Sequence, residues 1–182
     1  MKSRILVTGY NGFLVKNLIK RLKNEDYIIN CLSRRSYNDN KVRFYDFYNV
    51  DEAVKNSEVI IHVAAITDPK DSEIFKINLD YTKILVNSCI RFKKKRFIFI
   101  STANLAFKIT DRYTKSKDYA ENIVKKLDDY VIIRSSLLYG KDDNRYVNKL
   151  ANFIKKFRFM IMVEKGKQII YPMLVDDMSK VI

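Results

Sequence analysis

The amino-acid sequence predicts an α/β fold built on a doubly wound parallel sheet. Three observations carry this. Short apolar, β-branched runs alternate with stretches of helical period. The run at residues 59–65 (VIIHVAA) is apolar enough to be buried on both faces, as parallel strands are. The first run ends in a glycine-bearing polar turn that leads directly into a helical pattern.

Taken in order, residues 4–8 (RILVT) form the first strand, and Phe13, Leu14, Leu18, Ile19 and Leu22 mark one face of the first helix. Residues 27–32 (YIINCL) and 42–45 are the second and third strands; a polar stretch at 49–56 connects to the fourth, 59–65. A helix of about twenty residues is expected at 72–92, a fifth strand at 96–100 (RFIFI) and a helix at 111–127 with Asp111 as N-cap. The sixth strand is 130–134 (YVIIR). Right-handed βαβ units give the strand order 3-2-1-4-5-6. Beyond residue 143 the pattern changes: a helix at 144–157, strands at 158–163 and 168–175 pairing around the turn 164–167, and a helix opened by Asp176 that has only begun at Ile182. The expected division is therefore 1–143 and 144–182, with the second region cut short.

Composition narrows the classes. Apolar residues at 47%, charged residues at 31% and only 4 Gly and 2 Pro exclude a disordered or collagen-like chain. No run of about 18 apolar residues is present, so no membrane span is expected, and the N-terminus is a poor secretory signal. Cys31 and Cys89 lack metal-ligand spacing and read as core thiols of a cytoplasmic protein. The net charge of +14 favours anionic partners. The densest basic cluster, residues 91–96, falls at a helix C-terminus, where cations complement the dipole.

The turn after the first strand is Thr8-Gly9-Tyr10-Asn11-Gly12-Phe13-Leu14-Val15. Loops that cradle a dinucleotide divide the labour among glycines: a tight turn, bare backbone against the pyrophosphate, and close helix–strand packing. Gly9 and Gly12 fill the first two roles, and Val15 stands in the third. A ligand-free strand–turn–helix is the alternative reading.

Thr-Gly-x-x-Gly-Phe-Leu resembles the nucleotide-binding loop of the extended short-chain dehydrogenases/reductases, the NAD-dependent epimerase/dehydratase family. Further matches follow in order: Asp46, His62-Val63-Ala64-Ala65, Asn78, Ser101-Thr102, Tyr113-x-x-x-Lys117, Arg134, Tyr139-Gly140 and Val175-Asp176-Asp177. Tyr-x-x-x-Lys alone is weak, since the composition produces one or two by chance and Tyr37/Lys41 is another. Only Tyr113/Lys117 sits on a predicted helix after a Ser-Thr strand end.

The resemblance implies a Rossmann-type fold and an NAD(P)-dependent oxidoreductase, epimerase or dehydratase acting on a nucleotide-linked sugar or similar carbonyl or alcohol. It implies coenzyme contacts at Gly9, Tyr10, Asn11, Gly12, Phe13, Leu14, Asp46, Phe47, Ala64 and Ala65, and a homodimer through helices 72–92 and 111–127. It makes Thr102, ahead of Ser101, the hydroxyl that orients the substrate oxygen, and gives Lys117 a hydrogen bond to the nicotinamide ribose. Chemically, Tyr113 and Lys117 share a helix face, so an ammonium lowers the phenol's pKa and makes it a usable general acid/base. No carboxylate ends the second strand, where Ser33-Arg34-Arg35 stands instead. Arginine suits a 2′-phosphate, which favours NADP over NAD, with Arg34 ahead of Arg35. His62 reads as a packing residue.

Several features depart from the family pattern: Val15, a short connection from Thr102 to Tyr113, no proline after Arg134, and an early end to the substrate lobe. They keep two alternatives open, a non-catalytic dinucleotide-binding module or truncated remnant, and a nucleic-acid-binding protein using the basic surface.

Overall fold

Six parallel strands stand side by side in the order β3-β2-β1-β4-β5-β6, the order expected from the βαβ pattern. They are β1 (Arg4–Thr8), β2 (Ile28–Leu32), β3 (Val42–Tyr45), β4 (Val59–His62), β5 (Phe97–Thr102) and β6 (Tyr130–Ser135). The structure is a computed structural model and describes residues 2–35, 37–93, 96–143, 146–160 and 170–182.

Alternation along β1 explains the layers. Ile5 and Val7 face α1 (Phe13–Leu22), whose buried stripe is Leu14, Val15, Leu18, Ile19 and Leu22. Leu6 faces the opposite layer, formed by α2 (Val50–Lys55), α3 (Tyr81–Arg91) and α4 (Arg112–Val124) over Ile60, Phe97 and Phe99. Each such buried side chain contributes about 1.5–3 kcal/mol. Asp111 caps α4 as expected, its carboxylate accepting the Thr114 amide at 2.6 Å.

The structure differs from expectation in four places. The polar stretch 49–56 contains α2, because Val50, Ala53 and Val54 form a one-sided apolar stripe among charged residues. Strand β4 stops at His62, since the amides of Val63 and Ala64 donate to the Thr8 hydroxyl, at 3.1 and 3.0 Å, instead of to a ladder. The helix expected from residue 72 begins as a wide π turn at Lys76–Asp80, whose Asn78 carbonyl accepts from the Thr82 hydroxyl of α3 at 2.7 Å. In the last region α5 (Tyr146–Phe157) is present, while Pro172–Leu174 (β8) pairs in parallel with Leu137–Tyr139 (β7). The turn 164–167 and the rest of 161–169 lie outside the described residues, and 158–160 are not strand.

The final helix, α6 (Val175–Val181), returns to the first unit, with Val175 and Met178 packed against Leu14 and Ile100. At the other end of the sheet from the strand C-termini, Arg91 pairs with Asp51, and Arg96 pairs with Asp129 at 3.1 Å. Of the basic cluster, Arg91 is thus engaged at the end of α3 and Arg96 just before β5; Lys94 and Lys95 lie outside the described residues. Among the described residues, no helix is long and apolar enough to cross a membrane.

Candidate functional site

The β1–α1 turn opens onto the C-terminal edge of the sheet. Gly9 has φ +86°, a conformation that side chains disfavour, and a Cβ there would lie 2.9 Å from the Ala64 Cα. Glycine is demanded at this position by backbone geometry and by packing alike. Gly12 is different. Its φ of −69° suits any residue, its amide donates to the Gly9 carbonyl at 2.8 Å, and a Cβ would sit 3.1 Å from that carbonyl oxygen. Its bareness keeps backbone open to the space above. Gly12 is also the N-cap of α1, with no side-chain cap and no acidic residue in the first turn, so the helix end stays available to an anion.

That space is a cleft of about 550 Å³ lined by Gly9, Tyr10, Asn11, Gly12, Arg34, Arg35, Phe47, Ala64 and Ala65 among others. Val15 belongs to its lining and to the core beneath, and the cleft stays open despite the branched side chain. The side chains of Phe13 and Leu14 turn the other way, into the cluster around Val175 and Met178. Asp46 does not line this cleft: its carboxylate caps a short turn by accepting the amides of Tyr48 and Asn49, at 2.9 and 3.1 Å. It borders an adjoining hollow of about 300 Å³ that also holds Arg34, Arg35 and Arg43. On the same side, Tyr10 packs on Tyr37 and Phe44, with ring centroids 4.6 and 4.8 Å away. Its hydroxyl donates to Asp39 at 2.8 Å, and Lys23 pairs with the same carboxylate at 2.5 Å. Burial, with the Asp39 carboxylate, pushes the Tyr10 phenol up to about 12.

A buried chain of hydrogen bonds crosses from this loop to α4. The Thr82 hydroxyl is committed as donor to Asn78, so at 2.8 Å it accepts from His62 Nε2–H. His62 Nδ1 then accepts from Thr8 Oγ1 at 2.7 Å, leaving that oxygen to receive the two amides after β4. Asn78 holds both backbone groups of Ile66, at 2.7 and 2.8 Å, and donates to Ser116 Oγ at 2.9 Å. Ser116 donates to the Tyr113 carbonyl at 2.7 Å. Burial, with the charge of Lys117, pushes the His62 imidazole down to about 3, so it is neutral. His62 ties the fold together, as read from the sequence, and its ring nitrogens are both occupied.

Strand β5 and helix α4 carry the side chains expected from the sequence to be reactive. Register places Ser101 opposite Arg134 and Thr102 opposite Ser135. Thr102 is buried and accepts the Asn104 amide at 3.3 Å. Tyr113 is half-buried on the first turn of α4, and Lys117, one turn on, is buried with its ammonium 3.9 Å from the centre of the Phe99 ring. Burial pushes that ammonium down to about 7, opposed by Glu121. Glu121, a further turn on, is buried and takes a two-pronged contact from Arg134 at 2.9 and 2.8 Å. Burial raises its carboxyl, and the Arg134 guanidinium outweighs burial and holds it below the usual range.

Sequence reasoning quoted Thr8 only as the first residue of the glycine turn and overlooked Thr82, Ser116 and Glu121. Of the overlooked residues, Glu121 carried a signal, the i, i+4, i+8 spacing from Tyr113 through Lys117 along one helix face. The hydroxyls are ordinary in sequence and gain their roles by burial.

A parallel sheet in this order, a glycine turn at its switch point and a Tyr-Lys helix beside it define a dinucleotide-binding domain of the short-chain dehydrogenase/reductase type. The chain belongs to the NAD dependent epimerase/dehydratase family, which matches residues 5–182. It is 28% identical to a UDP-glucose 4-epimerase of Vibrio cholerae, over 86% of this chain and 58% of that protein. It is 27% identical to a decarboxylating sterol-4-alpha-carboxylate 3-dehydrogenase of Dictyostelium discoideum, over 85% and 59%. The chain thus spans under two thirds of the length of either relative. In fold it is similar to a Bacillus cereus UDP-glucuronic acid 4-epimerase solved with NAD and a UDP-linked sugar acid (TM-score 0.82, 20% identity, covering 97% of this chain and 71% of that one).

Proposed function

We propose that this chain is the coenzyme-binding part of an NAD(P)-dependent enzyme that acts on a carbonyl or alcohol substrate, foremost a nucleotide-linked sugar. The observation that supports this best is the bare Gly9–Gly12 turn opening on a cleft whose walls are tied by buried hydrogen bonds to the helix of Tyr113 and Lys117. When bound, the dinucleotide supplies a site that accepts or returns a hydride. Backbone amides of the turn and the start of α1 hold its pyrophosphate, and Tyr10, Asn11, Phe47, Ala64 and Ala65 line its path. Thr102 orients the substrate oxygen. Tyr113 moves the proton, and the Lys117 ammonium stabilises its phenolate and reaches the ribose. Arg34 and Arg35, exposed beside the cleft with no carboxylate at the end of β2, favour a 2′-phosphate and hence NADP. Helices α3 and α4, which expose Ile84 and Tyr119, are the surface for a homodimer.

A second substrate class is favoured by one observation. Phe107 and Tyr171 stack with centroids 5.8 Å apart, both more than half exposed at 56% and 57%, on the segment after Thr102 and just before β8. Such a surface suits an apolar ring-bearing alcohol, of the kind named for the Dictyostelium relative. Calorimetric titration with NADPH and NADH tests the coenzyme reading, and failure of both to bind overturns it. Turnover screens with UDP-hexoses and with 3-hydroxysterols separate the two substrate classes. Coenzyme binding with no turnover in either screen returns the protein to the non-catalytic module.

A further inference from the structure

Lys117 is held in an apolar setting. From its own helix Tyr113 and Glu121 share its face, from β4 the neutral His62 is close, and from β5 the Phe99 ring lies under the ammonium. Arg134 on β6 belongs to the same group through Glu121. Glu121 is the buried acid of this group, bonded to an Arg134 side chain that is 45% exposed and also feels Asp118, and it lies one turn from the buried Lys117. With Glu121 ionised, the buried Lys117 has a counter-charge one turn along its own helix; without it, Lys117 loses that counter-charge in a poorly solvated site. Stability gives a thin rationale for such a group, since apolar residues of similar volume commonly serve a core as well or better.

We propose that Glu121 is a positioning residue that keeps Lys117 an ammonium, and so keeps Tyr113 usable as an acid/base, with Arg134 fixing the carboxylate in place. The role rests on the Tyr113/Lys117 reading given above, and it adds a residue that the Tyr-x-x-x-Lys motif does not contain. Arg134 binds both oxygens of the carboxylate, so its guanidinium dictates the carboxylate plane and prevents rotation away from Lys117. In the reaction, the proton that Tyr113 exchanges never reaches Glu121. Glu121 acts through charge alone.

The test is an NMR titration of the chain carrying labelled lysine side chains, with the Lys117 resonance assigned by its loss in Lys117→Arg. Glu121→Gln is expected to lower the Lys117 titration midpoint by about one pH unit or more, a tenfold loss of ammonium near neutrality. Glu121→Asp is expected to restore most of it. A folded Glu121→Gln protein whose midpoint stays within about 0.3 unit of wild type, on the same scale, overturns the proposal. Should Glu121→Gln fail to fold, Arg134→Gln decides: freed of the fork that fixes its plane, the Glu121 carboxylate turns from Lys117 and the midpoint falls, whereas a midpoint that rises or stays within about 0.3 unit of wild type overturns the proposal. The titration needs no coenzyme or substrate. Failure to bind coenzyme sinks the functional reading and leaves this measurement intact, while an unmoved midpoint sinks the Glu121 role alone.

Discussion

Replacing Gly9 by alanine tests the turn on which the coenzyme reading stands. Two costs arise at one atom. A non-glycine residue at φ +86° carries about 1–2 kcal/mol of backbone strain. The new Cβ would lie 2.9 Å from the Ala64 Cα, and since that partner is backbone, the β4 extension must shift, which adds about 1–3 kcal/mol. A loss of roughly 3 kcal/mol lowers the melting temperature of a chain this size by about 6–12 °C. Gly12→Ala is the internal comparison. With φ −69° it carries no such strain, and its Cβ meets the Gly9 carbonyl oxygen at 3.1 Å and the Val15 Cγ2 at an ordinary 3.7 Å. It is expected to melt within a few degrees of wild type while losing about tenfold or more in coenzyme affinity, the equivalent of some 1.4 kcal/mol. Scanning calorimetry with and without NADPH reads both quantities. Should Gly9→Ala melt within about 2 °C of wild type, where the strain predicts more, or Gly12→Ala bind coenzyme unchanged, the division of labour between the two glycines is wrong.

Tyr113→Phe is expected to lower turnover by about a hundredfold or more while leaving coenzyme affinity in place; equal losses of both point to a structural role. Arg34→Asp is expected to move preference from NADPH toward NADH, measured as the ratio of dissociation constants, and an unchanged ratio removes the 2′-phosphate assignment. His62 gives a pH dependence of defined sign. Its imidazole sits near about 3 in the folded chain against 6.5 in the unfolded one, so between those values the unfolded state binds the extra proton. Stability is therefore complete above pH 6.5 and falls as the pH drops toward 3, by up to about 1.4 kcal/mol per pH unit from this residue. Urea titrations at stepped pH read the slope, and His62→Asn is expected to flatten it; an equally steep slope in that variant refutes the assignment.

The large elements were legible because they rest on local periodicity. Ile5, Leu6 and Val7 in succession mark a strand covered on both faces, and Leu14, Leu18 and Leu22 mark a helix stripe, whatever lies nearby. Helix α2 was overlooked because its three buried residues are scattered among Asp51, Glu52 and Lys55, and only contact with the second layer reveals them as a face. The β7–β8 pairing was invisible for another reason. Its strands are three residues each and are separated by more than thirty positions, so no local pattern links Leu138 to Met173. The π turn at Lys76–Asp80 likewise depends on Thr82 and Asn78 finding partners on β4 and α4.

By itself the sequence determined the strand order, the glycine turn and the placing of Tyr113 and Lys117 on one face, because each follows from spacing along the chain. Only the tertiary structure decided which hydroxyls carry the site. Thr8, Thr82 and Ser116 matter because burial removes water as an alternative partner, so each must bond to the protein and in doing so fixes its neighbour. The charge environment of Lys117 belongs to the same category: it is set by the Phe99 ring, His62 and Glu121, which three different elements bring together.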